Sequence, residues 1–194
     1  MAYAELISKL MLLVDERLSP SRAAHSRAVA DLAAELCARQ GLDPDRGRAA
    51  GLAHDLCKEF PPDDQRKLAA DYPGISKGSA LMAEKILHGP AAAVLLGRDY
   101  GVDDDELLEA VALHTVGKPG MNGLCLILYC ADKLDPSRRQ GDPALVDRCL
   151  GLPPREMLLL VVSASISRLE ATGHAIAPET LVLYTSLQQS VPAP

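Results

Sequence analysis

Tryptophan is absent from the 194 residues and phenylalanine occurs once, which points away from an aromatic core and toward one of leucine, alanine and valine, a helical palette. An excess of base is missing too. The 20 Lys and Arg against 26 Asp and Glu leave a formal net charge of −6, which argues against broad adhesion to nucleic acid or to an anionic membrane, while a local basic pocket for a small phosphorylated ligand stays open. Cys37, Cys57, Cys125, Cys130 and Cys149 are odd in number and contain no C-x-x-C pair, so neither a disulfide framework nor a zinc ribbon is expected, and a reducing cytoplasm is the default. Long apolar runs are lacking as well. "GLCLILYCA" and "MLLLVVSASI" fall short of the about 20 residues that span a bilayer. The first segment, "MAYAELISKLMLLVDERLSP", has acidic residues on both sides of its apolar part and no basic leader; it reads as an amphipathic helix rather than a signal peptide. Strand alternation and hairpin turns do not occur.

What is present is helix punctuation. "SPS" at 19–21 and "DPD" at 43–45 put a capping side chain before a proline at the first helical position, and glycines at 41, 101 and 173 stand where helices stop. The pattern predicts helices near 3–18, 20–40, 44–58, 64–71, 78–87, 90–99, 104–116, 122–134, 143–150, 154–171 and 178–189. The fold class is therefore all-α: one helical domain over 1–194, with a core over about 19–140 and C-terminal helices over about 143–190 packed on it. The polar "DPSRRQGDP" at 135–143 is read as a loop within that domain.

Chemistry-bearing side chains recur on the apolar faces. His25 shares a face with Val29, Leu32 and Leu36, and Arg22 lies one turn earlier on the same face. "AGLAHDLCKEF" sets His54 beside Asp55, with Lys58 a turn later. His88 sits at the Gly-Pro break of "KILHGPAAAV", where it could face a cleft, and His114 ends the stripe of Leu107, Ala110 and Val111. Asp132 closes "LCLILYCAD" after eight uncharged residues. An unpaired buried carboxylate there would cost several kcal/mol, so it needs a cation or hydrogen bonds. Mixed imidazoles and carboxylates suit Fe, Mn, Zn or Ni better than Ca or Mg. His174, past a helix end, reads as a surface residue, Cys57 as a small buried one, and "VDDDE" at 102–106 as a helix cap. Tyr72, Tyr100 and Tyr129 are the candidates for stacking on a base.

The ordered series His25, His54-Asp55, His88, His114, Asp132 resembles the HD-domain metal-dependent phosphohydrolases, whose pattern is H…HD…H…H…D on separate helices. More narrowly, "SRAAHSRAVADLAAEL", "GLAHDLCKEF", "LHGPAAA", "ALHTVGKPGMNGL" and "YCADKLDPSRR" resemble the YqeK-type branch of symmetrical diadenosine tetraphosphate hydrolases with a di-iron centre. The resemblance implies that His25, His54, Asp55 and Asp132 hold one metal and that Asp55, His88 and His114 hold the second, with Asp55 as the bridge. The metals would most readily be Fe, with Mn, Ni, Co or Zn as alternatives. It implies cleavage of diadenosine tetraphosphate to two ADP by a metal-activated hydroxide, with Asp55 and Lys58 in catalytic roles. Arg22, Lys58, Thr115, Gly117, Lys118 and Arg138 are the expected phosphate contacts; for Arg22 and Arg138 a surface salt bridge is the competing reading, and for "HTVGKPG" a plain turn. The branch often has Glu where Asp135 stands, a change that bears on substrate fit and not on a proposed ligand. A broader nucleotide phosphohydrolase and a non-catalytic nucleotide-binding module are the competing functions. No nucleic-acid or membrane partner is expected, and a homodimer is allowed.

Overall fold

A computed structural model describes residues 2–73, 84–135 and 143–189. Ten α-helices and no strand occur among the described residues: α1 (Tyr3–Arg17), α2 (Pro20–Arg39), α3 (Pro44–Ala53), α4 (Pro62–Ala69), α5 (His88–Tyr100), α6 (Asp105–Leu113), α7 (Gly123–Leu134), α8 (Pro143–Leu150), α9 (Pro154–Ala171) and α10 (Pro178–Gln189). The all-α expectation holds. None of these helices is long and apolar enough to cross a membrane.

Local chemistry sets most of the boundaries. Asp43 accepts from the Asp45 amide and Pro44 opens α3, Asp104 caps α6 by accepting from the Leu107 amide, and Asn122 caps α7 through the Cys125 amide. Ser19 departs from the capping role. Its amide and hydroxyl both donate to Glu59, at 2.6 and 2.8 Å, so the serine ties α2 to the turn after α3 rather than capping its own helix. Gly101 closes α5 in the left-handed region at φ 65°, which costs a residue without Cβ nothing.

Three boundary differences bear on the site. The helix expected over 44–58 ends at Ala53, and the chain continues in i→i+3 turns from Ala53 to Leu56, Asp55 to Lys58 and Cys57 to Phe60. Similarly, α6 ends at Leu113 and leaves His114 as its C-cap. The helix expected to begin at 90 instead begins at His88, because Pro90 falls in the first turn, where its missing N–H would have had no partner. Most of the helix expected over 78–87 lies outside the described residues, and 84–87 form turns.

The tightest packing is α2 on α3, with α7 crossing both and α6 touching α3 and α7. Gly51 makes that approach close: a Cβ there would stand 2.4 Å from the Ala30 Cα. Among the described residues one buried apolar cluster runs from Leu6 on α1 to Leu187 on α10, and the C-terminal helices join it through α7 and α9.

Candidate metal centre

The six expected ligands come from five places in the fold. α2 carries His25, the end of α3 carries His54 with Asp55 just beyond it, the first residue of α5 is His88, the C-cap of α6 is His114, and the last turn of α7 carries Asp132. Five of the six are nearly inaccessible, with His54 at 0%, His88 and His114 at 1%, Asp55 at 4% and Asp132 at 5% exposure. The rings of His25, His54, His114 and His88 form a chain of edge contacts with centroids 5.2, 4.9 and 5.0 Å apart.

The protons on these rings follow from their partners. His54 Nδ1 donates to the Gly51 carbonyl at 2.7 Å and His114 Nδ1 to the Val111 carbonyl at 2.8 Å; a carbonyl only accepts, so each Nε2 is left bare and faces inward. His25 is oriented likewise by Asp135, whose Oδ2 lies 2.5 Å from Nδ1. His54 Nε2 is buried with no hydrogen-bond partner. The Nε2 atoms of His88 and His114 face one another at 3.1 Å. Converging ring nitrogens, with His54 Nε2 left wholly without a partner, are what a bound cation would satisfy.

Asp55 joins the two halves. Its Oδ1 is 3.1 Å from His88 Nε2 and 3.7 Å from His114 Nε2, while Oδ2 is 3.7 Å from His54 Nε2. Ligand atoms of His25, His54 and Asp55, and of Asp55, His88 and His114, form two compact groups, each with all atoms within 4.8 Å. Asp132 stands beside the first group, with Oδ1 3.3 Å from His25 Nε2 and 3.7 Å from His54 Nε2. These are two His/Asp clusters sharing one carboxylate, and their donor set fits a pair of first-row divalent metals.

Charge states agree with that fit. Burial pushes the Asp55 carboxyl up, but His54, His88, Lys58 and His114 together outweigh it and hold it well below the usual carboxylate range. Burial lowers His88 against the opposing pull of Asp55. It lowers His114 strongly, reinforced by the neighbouring His54 and His88. Neutral imidazoles beside an ionised carboxylate are the forms that bind metal. Cys57 is buried and its thiol is pushed up to about 12 by that burial, which matches the small buried residue expected.

His25, Asp55, His114 and Asp132 line a cavity of about 830 Å³. Lys58 Nζ lies 3.0 Å from His88 Nε2 and 4.0 Å from Asp55 Oδ1, so it reaches the site even though the helix expected to carry it has ended. Arg22 donates to Asp55 Oδ2 at 3.2 Å and pairs with Glu59 at 3.4 Å, and Thr115 lines the same cavity. Gly117 and Lys118 do not line it. The Gly117 amide donates to the Leu113 carbonyl at 2.8 Å, the position packs under Leu183, and Lys118 pairs with Glu109. Arg138 lies outside the described residues. Of the tyrosines, Tyr129 borders the cavity, Tyr72 lines a separate cleft, and Tyr100 accepts from Arg17. His174 is exposed, as expected.

Sequence reasoning missed Asp135 as the residue that orients His25, and it missed Lys133, Ser165, Arg168 and Thr180 on the cavity wall. The last three belong to the C-terminal helices. Their only local signal was that Ser165 shares the apolar face of α9 with Val161, Val162 and Ile166, with Arg168 one turn on.

The model of the HD-domain family matches residues 22–137. The chain is 27% identical to a symmetrical bis(5'-nucleosyl)-tetraphosphatase of Bacillus subtilis, covering 90% of this chain and 93% of that one. It is 33% identical to the protein of the same description from Staphylococcus aureus, over 68% of each chain. A crystal structure of a predicted HD superfamily hydrolase involved in NAD metabolism from Clostridium acetobutylicum superposes with a TM-score of 0.83 at 26% identity, covering 95% of this chain and 97% of that one.

Proposed function

The chain belongs to the HD-domain family, as a metal-dependent hydrolase, and from that premise we propose that it cuts dinucleoside polyphosphates at the central anhydride, converting diadenosine tetraphosphate and water to two ADP. The observation that carries this is the placement of two clusters around Asp55 in one cavity that also holds Arg22, Lys58, Lys133 and Arg168. Four cations around a buried acidic centre suit a long polyanion rather than a neutral substrate. The Bacillus and Staphylococcus relatives, described by that activity, support the same choice.

We assign His25, His54, Asp55 and Asp132 to one ion and Asp55, His88 and His114 to the second, with Fe as first candidate and Mn, Ni, Co or Zn as alternatives. When bound, such a pair supplies Lewis-acid activation of water and of the phosphoryl group. The protein's own part is positioning. Gly51, Val111 and Asp135 hold three imidazoles with Nε2 inward. Lys58 places an ammonium beside the shared carboxylate, where it can meet charge developing on the leaving phosphate. Arg22, already aimed at Asp55, offers its remaining donors to phosphate oxygens; the Thr115 hydroxyl is assigned to the same chain, and so is Arg138 from its position after Asp132. Gly117 and Lys118 serve by holding the turn that presents Thr115. One water is consumed: its oxygen ends on one central phosphorus, the bond from that same phosphorus to the bridging oxygen breaks, the bridging oxygen departs as part of the other ADP, and the water's protons leave with the products or to solvent.

Anaerobic purification, metal analysis and turnover of a nucleotide panel test this. Diadenosine tetraphosphate should give ADP as sole product. AMP plus ATP, or cleavage of mononucleotides without cleavage of the dinucleotide, refutes it. A broader nucleotide phosphohydrolase is the second reading, because the aromatic ring bordering the cavity, Tyr129, is fully buried and leaves little to select a base.

A further inference from the structure

The cavity continues past the clusters to a wall built by α7 and α9. Arg168 stands there, half-buried in the last turn of α9, between the main cavity and a smaller one of about 210 Å³ that it shares with Lys133 and Ser165. Among the described residues its guanidinium forms no ion pair or hydrogen bond, in a chain where acids outnumber bases by 26 to 20. Arg46, by contrast, holds both Asp104 and Glu106. The hydroxyls of Tyr129 and Thr115 are also unpartnered and buried, and both residues line the same cavity. Tyr129 as a whole is inaccessible. Leaving a buried hydroxyl unsatisfied costs about 1–3 kcal/mol, so two that line one cavity with an unpaired guanidinium describe a site suited to an acceptor.

We propose that Arg168, with the hydroxyls of Thr115, Tyr129 and Ser165, forms a phosphate subsite for the part of the substrate chain that lies away from the metal clusters. Ser165 and Arg168 are three residues apart on α9 and so share a face. The guanidinium supplies a planar pair of donors matched to phosphate oxygens, and the hydroxyls donate to the remaining oxygens. Lys133 links this wall to the centre: its Nζ lies 3.8 Å from the Tyr129 ring centroid and donates to the His114 carbonyl at 2.8 Å. Asp55 and Arg168 line one cavity, so a polyphosphate held at the clusters can place a further phosphate at Arg168, and the subsite favours the longer chain. This rests on the nucleotide reading above.

The test is equilibrium binding of inorganic pyrophosphate, ADP and adenosine to the metal-loaded protein and to Arg168→Gln, alongside steady-state kinetics with diadenosine tetraphosphate. Lys67→Gln, at an exposed position on α4, is the control. Pyrophosphate and ADP should bind roughly 10- to 100-fold more weakly to Arg168→Gln, with adenosine unchanged. KM should rise by a similar factor while kcat stays within about threefold. Arg168→Lys, which keeps the charge but not the fork, should fall between, and it serves as the second variant if the glutamine protein does not fold. Wild-type affinity for pyrophosphate and ADP in folded Arg168→Gln overturns the proposal, and so does an equal loss for adenosine, which would make the wall a nucleoside site. Should the wild type not cleave the dinucleotide while Arg168→Gln still weakens pyrophosphate binding, the substrate reading falls and the subsite stands.

Discussion

Gly51→Ala should damage the metal centre without touching a ligand. The added Cβ would lie 2.4 Å from the Ala30 Cα and 2.6 Å from its N, and both are helix backbone atoms that cannot swing aside. Ordinary contact begins at 3.4 Å, so α2 and α3 must part by at least about 1 Å. Overpacking of this kind costs about 1–3 kcal/mol, which for a chain of this size lowers Tm by about 2–4 °C for each kcal/mol. The consequence at the site is sharper. His25 rides on α2 and His54 on the end of α3, and metal–ligand distances tolerate only about 0.2 Å, so the first cluster should lose metal before the fold is lost. The assay is metal content by elemental analysis together with thermal unfolding of the loaded and chelator-stripped protein. The stripped variant should melt lower than stripped wild type, and the stabilisation gained from metal should shrink. Gly97→Ala is the companion: its Cβ would meet nothing nearer than 3.6 Å inside α5, so helix propensity alone predicts up to about 1 kcal/mol of stabilisation. Wild-type Tm and full metal content in Gly51→Ala would refute the account of how α2 and α3 assemble the centre.

Two further outcomes follow from particular contacts. Asp135→Asn removes the carboxylate charge behind His25 Nδ1; metal affinity should fall about 10- to 100-fold, measured by competition with a chromophoric chelator, with the apo fold intact by circular dichroism. Burial pushes the Asp104 carboxyl up, but Arg46, the Tyr3 hydroxyl and the Leu107 amide outweigh it and hold it below the usual range. A depressed carboxylate contributes stability that is present above its unfolded pKa of about 3.9 and lost as pH falls through the folded value. Asp104→Asn should therefore cost about 1 kcal/mol at neutral pH in urea unfolding, and the difference from wild type should narrow below about pH 4; a gap that persists unchanged in acid would sink the assignment.

Much of this protein is legible locally. Proline at the first helical position after Asp43, glycine at 41, 101 and 173, and the apolar spacing of α1 and α7 mark out helices because capping and periodicity act within one or two turns. The six residues of the centre are legible for a related reason, since imidazoles and carboxylates on apolar helix faces are costly unless something pairs them. Only the tertiary structure decided how they divide, with Asp55 presenting one oxygen to His88 and His114 and the other to His54, because that depends on the close approach of α2 to α3 and the crossing of α7. It also turned Lys118 toward Glu109 and Gly117 under Leu183, and it brought Arg168 from the C-terminal helices to the cavity wall. Periodicity says which face of a helix is buried; which distant face it meets is decided by packing, and the wall of the cavity is made of such meetings.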